Sequence, residues 1–154
     1  MRVAVVDDEP LARDFLVQIL NGTADVDVAA CYKNGREAIA GLRLDPVDVV
    51  FLDIQMPGLD GFDVVKALQS DTMPLVVFAT AHSEFAVEAF DLHAVDYILK
   101  PFVAERVQET LSRCTARLLS LAADSLDESL NVTDQAARQK GAVISAMGGQ
   151  AIVF

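Results

Sequence analysis

The sequence contains no tryptophan and only two cysteines, Cys31 and Cys114. They stand at no metal-binding spacing and read as reduced core thiols of a cytosolic protein rather than a disulfide. Basic residues are also scarce. Twelve Lys and Arg face 23 Asp and Glu, for a formal charge of −11, so this chain is ill suited to grip a phosphate backbone with its own surface. No apolar run approaches the roughly 18 residues that span a bilayer. The first apolar run is cut off by Asp7-Asp8-Glu9, where the core of a signal peptide would continue. A cytoplasmic protein with no membrane partner is expected. The only histidines, His82 and His93, have no partner at metal or acid–base spacing and read as surface or loop residues.

What is present is a repeated pattern. Five short apolar runs, Arg2–Val6, Val26–Tyr32, Val47–Leu52, Leu75–Ala79 and Asp96–Leu99, alternate with helical periodicities. Helices are expected from Pro10 to Asn21, after Asn34-Gly35, over Gly61–Ser70, over Glu84–Leu92 and from Ala104 to Leu121. The first has two apolar rows, Leu11, Phe15, Ile19 and Leu16, Leu20. Asn21-Gly22 and Asp45-Pro46 supply stop signals. The strand runs do not alternate between apolar and polar, as expected where both faces of a sheet are covered. The implied fold class is α/β, a doubly wound five-stranded parallel sheet in the order 2-1-3-4-5 with helices on both faces.

That order gives the polar residues their meaning. Ligands of such sheets sit at the carboxyl ends of the strands, at the switch point between strands 1 and 3. Asp7 and Asp8 end the first strand and Asp53 ends the third. Three carboxylates brought together repel one another, and a hard divalent cation, Mg²⁺, resolves the conflict. The bland alternative is that Asp7, Asp8 and Glu9 only cap the first helix. Thr80 ends the fourth strand with a hydroxyl, and Lys100 ends the fifth with an ammonium that can pair with Asp53 or a phosphoryl oxygen.

Asp7-Asp8, Asp53, Thr80 and Lys100-Pro101 together resemble the response-regulator receiver domain of bacterial two-component signalling, with its flavodoxin-like fold. The resemblance covers residues 1–121. It implies that Asp53 accepts a phosphoryl group from a histidine kinase or phosphotransfer protein. Asp8, Asp53 and the Gln55 backbone carbonyl would bind Mg²⁺, with Asp7 helping through water. It further implies a cis Lys100–Pro101 peptide, a glycine, Gly61, opening the third helix, and a switch in which Thr80 moves and Tyr97 swings inward. The output face would be helix 4, strand 5 and helix 5, with homodimerisation on phosphorylation. The protein would be a signalling switch rather than an enzyme, though it catalyses its own phosphoryl acceptance and slow dephosphorylation. Thr80-Ala81-His82 and the stretch Phe85–Phe102 are similar to receivers that precede a LytTR-type DNA-binding domain.

Residues 122–140, rich in Ala, Ser, Asp and Gln, read as a linker. Residues 141–154 read as the opening hairpin of a truncated β-rich domain, with strands at Ala142–Ile144 and Ala151–Phe154 around Gly148-Gly149, the alternative being a closing hairpin or a disordered tail. DNA would be bound only through that missing domain. Two other functions compete. One is a stand-alone receiver acting through protein contacts. The other is an aspartyl-phosphate phosphatase similar to the haloacid dehalogenases, which usually carry an aspartate where Gln55 stands.

Overall fold

The computed structural model describes the backbone of residues 1–70 and 73–146, with side chains up to residue 128. Five strands, β1 (Arg2–Val6), β2 (Asp27–Tyr32), β3 (Val49–Leu52), β4 (Leu75–Thr80) and β5 (Asp96–Leu99), form one parallel sheet in the order β2-β1-β3-β4-β5. Between them run α1 (Pro10–Asn21), α2 (Gly35–Leu44), α3 (Gly61–Ala67) and α4 (Ala86–Asp91), and α5 (Ala104–Ala146) follows. The expected topology is the observed one. Every residue of β3 is buried, because apolar side chains on both of its faces are covered by helices.

Register places the strand ends together. Val6 pairs with Leu52 across β1 and β3, and the Asp53 N–H donates to the Val6 carbonyl at 2.9 Å. Thr80 pairs with Leu99 across β4 and β5, and the Lys100 N–H donates to the Thr80 carbonyl at 2.8 Å. The residues following β1, β3 and β5 therefore leave the sheet along one edge, beside the end of β4.

Local signals account for the helix starts. Pro10 opens α1, where its missing N–H costs nothing. Asn34 caps α2 by accepting from the Glu37 N–H at 2.8 Å. Asp60 and Asp63 form a reciprocal capping box on α3, each satisfying a backbone donor the helix leaves open.

Several expectations are corrected. Of the two apolar rows on α1, only Leu16 and Leu20 are in the core, whereas Leu11 and Phe15 are exposed. A helix against a sheet buries one stripe, and periodicity alone does not say which of two adjacent rows it is. Cys114 is buried as expected, but Cys31 is exposed, because it lies on the edge strand β2. The last helix does not stop at Leu121. It continues through Ala146, so the segment read as a linker is helical and Ala142–Ile144 lies in a helix rather than a strand. No proline follows Pro101, and alanine is the commonest residue of the segment, which favours helix once one is nucleated. The second half of the expected hairpin, Gly148–Phe154, lies outside the described residues.

The chain divides into two compact units, Met1–Ala116 and Arg117–Phe154. The sheet and all the residues of the candidate site belong to the first. Among the described residues, no helix is long and apolar enough to cross a membrane.

Candidate functional site

Asp53 occupies the first position after β3 and is buried. Its Oδ1 accepts from the Ile54 N–H at 2.7 Å, which leaves Oδ2 facing Lys100 Nζ at 3.1 Å. The loop that follows turns through Gly58 at φ +80° and closes where the Gly61 N–H donates to the Ile54 carbonyl at 2.8 Å. A Cβ on Gly61 would stand 2.5 Å from the Asp53 carbonyl oxygen and 3.0 Å from Ile54 Cα. Only glycine lets α3 begin so close to the Asp53 backbone. The side chain of Gln55 is exposed on this loop.

Asp7, Asp8 and Glu9 approach from the end of β1. One carboxylate oxygen from each, together with one from Asp53, lies within 4.8 Å of all the others. Lys100 Nζ lies 2.7 Å from Asp7 Oδ2 and 3.5 Å from Glu9 Oε1, as well as near Asp53. One ammonium thus serves three carboxylates and leaves Asp8 out. Asp8 Oδ1 is buried with no hydrogen-bond partner. A buried carboxylate oxygen without a partner is costly, and a hard cation among these oxygens would remove that cost. The residues present therefore fit Mg²⁺.

The titration behaviour follows from this crowding. Burial pushes the Asp53 carboxyl above its usual range. Lys100 works against that shift, and the neighbouring Asp7 charge adds to it. Burial works to lower Lys100, but the hydrogen bond from its ammonium to Asp7 and the charges of Asp53 and Asp7 prevail, so its pKa is raised. Both shifts are in the direction expected where several carboxylates crowd around one ammonium.

Thr80 is fully buried, and its Oγ1 accepts from the His82 N–H at 3.3 Å. The Tyr97 hydroxyl donates to the carbonyl of the same residue, His82. The two expected switch residues therefore hold opposite sides of one loop residue. Lys100–Pro101 is cis.

At the other end of β5 from Lys100, Asp96 is buried and ties the strand to α5. Its two oxygens lie 2.8 Å from two nitrogens of Arg106. Oδ2 also accepts from Thr110 at 2.7 Å and pairs with Arg113 at 2.8 Å. Burial works to raise Asp96, but the hydrogen bonds from Arg106, Thr110 and the Tyr97 N–H prevail and hold it at about 2.

Sequence reasoning had Asp7, Asp8, Asp53 and Lys100 meeting, and the structure brings them together. It treated Glu9 only as a possible helix cap. Glu9 does occupy the N-cap of α1, but its side chain makes no cap hydrogen bond and its carboxylate joins the cluster instead. The run of three acids was the available signal. The part played by the His82 peptide had no signal at all, because any residue has an N–H and a C=O to offer.

The family model for the response regulator receiver domain matches residues 3–112. Over 109 residues the chain is 45% identical to an uncharacterized response regulatory protein of Shewanella oneidensis, a match covering 71% of this chain and 46% of that protein. It is 43% identical over 113 residues to the transcriptional regulatory protein BtsR of Salmonella typhi, covering 73% of this chain and 47% of that one. The chain thus spans about half the length of the curated relatives it matches. The crystal structure of the response regulatory domain of mrkE from Klebsiella pneumoniae superposes with a TM-score of 0.72 at 37% identity, covering 76% of this chain and 97% of that chain.

Proposed function

The chain belongs to the response regulator receiver family, and on that premise we propose that Asp53 accepts a phosphoryl group from a phosphohistidine of a histidine kinase or phosphotransfer protein. One observation carries the reading. Asp53 Oδ2 lies 3.1 Å from the Lys100 ammonium, in a pocket of carboxylates that includes the unpartnered Asp8 Oδ1.

In the proposed transfer, an ionised Asp53 oxygen attacks phosphorus, the bond from phosphorus to the donor imidazole nitrogen breaks, and that nitrogen keeps the electron pair. No general base is required, because the nucleophile carries no proton. Lys100 holds the acceptor oxygen and pairs with the transferred group as charge shifts onto it. Asp8, Asp53 and the Gln55 carbonyl would hold Mg²⁺, with Asp7 assisting. When bound, the ion supplies charge neutralisation for the phosphoryl oxygens. The same site would support slow hydrolysis of the acyl phosphate.

The phosphoryl group brings roughly −1.5 to −2 of charge and three acceptors. In our reading, Thr80 turns its hydroxyl toward one of them and Tyr97 follows, which alters the surface of α4, β5 and α5. Val87, Phe90, Leu99 and Val103 are exposed there, apolar material suited to a homodimer contact. Two facts support an output beyond this chain, namely the name of BtsR as a transcriptional regulatory protein and a match that covers only 47% of that protein. The resemblance of Phe85–Phe102 to receivers of the LytTR type favours a DNA-binding domain of that kind, with cytoplasmic operation.

The test is intact mass and gel filtration with and without a small phosphodonor and Mg²⁺, on wild type and Asp53→Ala. An added mass of about 80 Da that needs Mg²⁺ and is absent from the variant supports the reading. Failure of the wild type to gain mass overturns it.

A further inference from the structure

We propose that Phe85 is a positioning residue of the switch, coupling the phosphoacceptor loop to the β4–α4 loop through ring packing. The inference rests on the reading of Asp53 as phosphoacceptor and adds a second, apolar route to the one through Thr80 and Tyr97.

Phe62 follows Gly61, whose N–H is bonded to the Ile54 carbonyl and whose missing Cβ lets it lie against the Asp53 backbone. The Phe62 ring is buried and thereby tied to the backbone of the phosphoacceptor. Its centroid lies 5.2 Å from that of Phe78 and 6.0 Å from that of Phe85, edge to face in both pairs. Phe85 in turn lies 6.0 Å from the His82 ring, again edge to face. The backbone of His82 accepts from Tyr97 and donates to Thr80. A line of rings, Phe78–Phe62–Phe85–His82, therefore connects the residue behind Asp53 to the residue that both switch side chains hold.

Phe85 also stands where a different residue would serve the helix better. It is the N-cap of α4 and makes no side-chain cap hydrogen bond, at a position where Ser, Thr, Asp or Asn satisfies an open donor. The α4 start gives up its cap, and the ring packs on Phe62 and His82 instead. Edge-to-face pairs at these separations have a preferred geometry, and packed interiors shift between discrete arrangements rather than deforming smoothly. When Thr80 leaves the His82 N–H, Phe85 makes the β4–α4 loop move as one body with α4. Without the ring, the His82 peptide relaxes alone, and Tyr97 loses its cue.

The experiment uses the full chain with fluorotyrosine incorporated, read by fluorine resonance before and after phosphorylation in Mg²⁺, with intact mass recorded on the same samples. The chain has two tyrosines, and Tyr32 on β2 serves as the internal reference. In the wild type, Tyr97 shifts on phosphorylation and Tyr32 does not. Phe85→Ala and Phe85→Leu gain the same mass but show a Tyr97 displacement at least about twofold smaller, and Phe85→Tyr, whose added resonance is told apart by its absence from the wild-type spectrum, restores it. Leucine keeps the apolar bulk, so it carries the test if the alanine variant does not fold. A full Tyr97 shift in either variant overturns the proposal, as does a phosphorylated wild type whose Tyr97 does not respond. A wild type that gains no mass overturns the phosphoacceptor reading first, and this one with it.

Discussion

The Lys100 ammonium lies closer to Asp7, at 2.7 Å, than to Asp53, at 3.1 Å. The lysine is thus shared between a residue of the metal-side cluster and the phosphoacceptor, and its removal leaves both carboxylates without a cation. Lys100→Met is expected to destabilise the Mg²⁺-free protein at neutral pH by about 3 kcal/mol, the scale of breaking a buried pair from one side. Urea denaturation checks this. The same variant should regain much of the loss in Mg²⁺, and equal losses with and without the ion would contradict the shared-charge account.

Mg²⁺ itself should stabilise the fold in proportion to its occupancy. At about 100 times its dissociation constant the gain is about 2.7 kcal/mol. Asp8→Ala removes the carboxylate whose Oδ1 has no partner, so it should abolish most of that gain while making the Mg²⁺-free protein more stable than wild type, since the costly buried oxygen is gone. Thermal melts across a Mg²⁺ series give the answer, and an undiminished shift in the variant would remove Asp8 from the ligand set.

The Asp53 carboxyl is raised, by burial first and then by Asp7. A raised folded-state pKa means the fold favours the protonated form. That favourable contribution is complete below the unfolded value near 3.9 and disappears as pH rises through the folded value. At pH 7 without Mg²⁺, ionised Asp53 therefore weakens the fold. Asp53→Asn should be more stable than wild type there, and the advantage should vanish below about pH 4. Stability profiles of the two proteins in chelator decide it, and parallel profiles would sink the expectation.

Asp96 has the opposite sign. Its carboxyl is held at about 2 by Arg106 and Thr110 against its burial. The resulting stability is present above the unfolded value near 3.9 and is lost as pH falls through 2, a span worth on the order of 2 kcal/mol. Asp96→Asn should lose about that much at pH 7 and show a flatter acid limb. If its acid limb matches the wild type, the bidentate pair with Arg106 contributes little.

Gly61 tests the fit of the phosphoacceptor loop. A methyl group there would meet the Asp53 carbonyl oxygen at 2.5 Å, and backbone cannot move aside as a flexible side chain can. Gly61→Ala should cost about 1–3 kcal/mol and slow phosphoryl acceptance, measured as the rate of mass gain. An unchanged rate with reduced stability would show that the loop shifts without moving the Asp53 carboxylate.

The family relationship makes the fold legible in the sequence, and periodicity alone goes far toward it. Apolar runs such as Val49–Leu52 and the stops at Asn21-Gly22 and Asp45-Pro46 come from local physics, namely covered sheet faces and chain breakers. The convergence of Asp7, Asp8 and Asp53 follows once the strand order is known, because strand ends in a parallel sheet share one edge. What the sequence could not decide was everything that depends on distance or direction. Periodicity could not tell Leu11 and Phe15, which are exposed, from Leu16 and Leu20, which are buried. Composition read residues 122–140 as a linker where the chain is helical, since the same polar, Ala-rich residues suit either state. Only the tertiary structure set Lys100 nearer Asp7 than Asp53, brought Glu9 into the carboxylate cluster, left Asp8 Oδ1 without a partner and placed the His82 peptide between Thr80 and Tyr97. Those relations join residues up to 93 positions apart in the chain (Asp7 to Lys100), and packing, not any local propensity, fixes them.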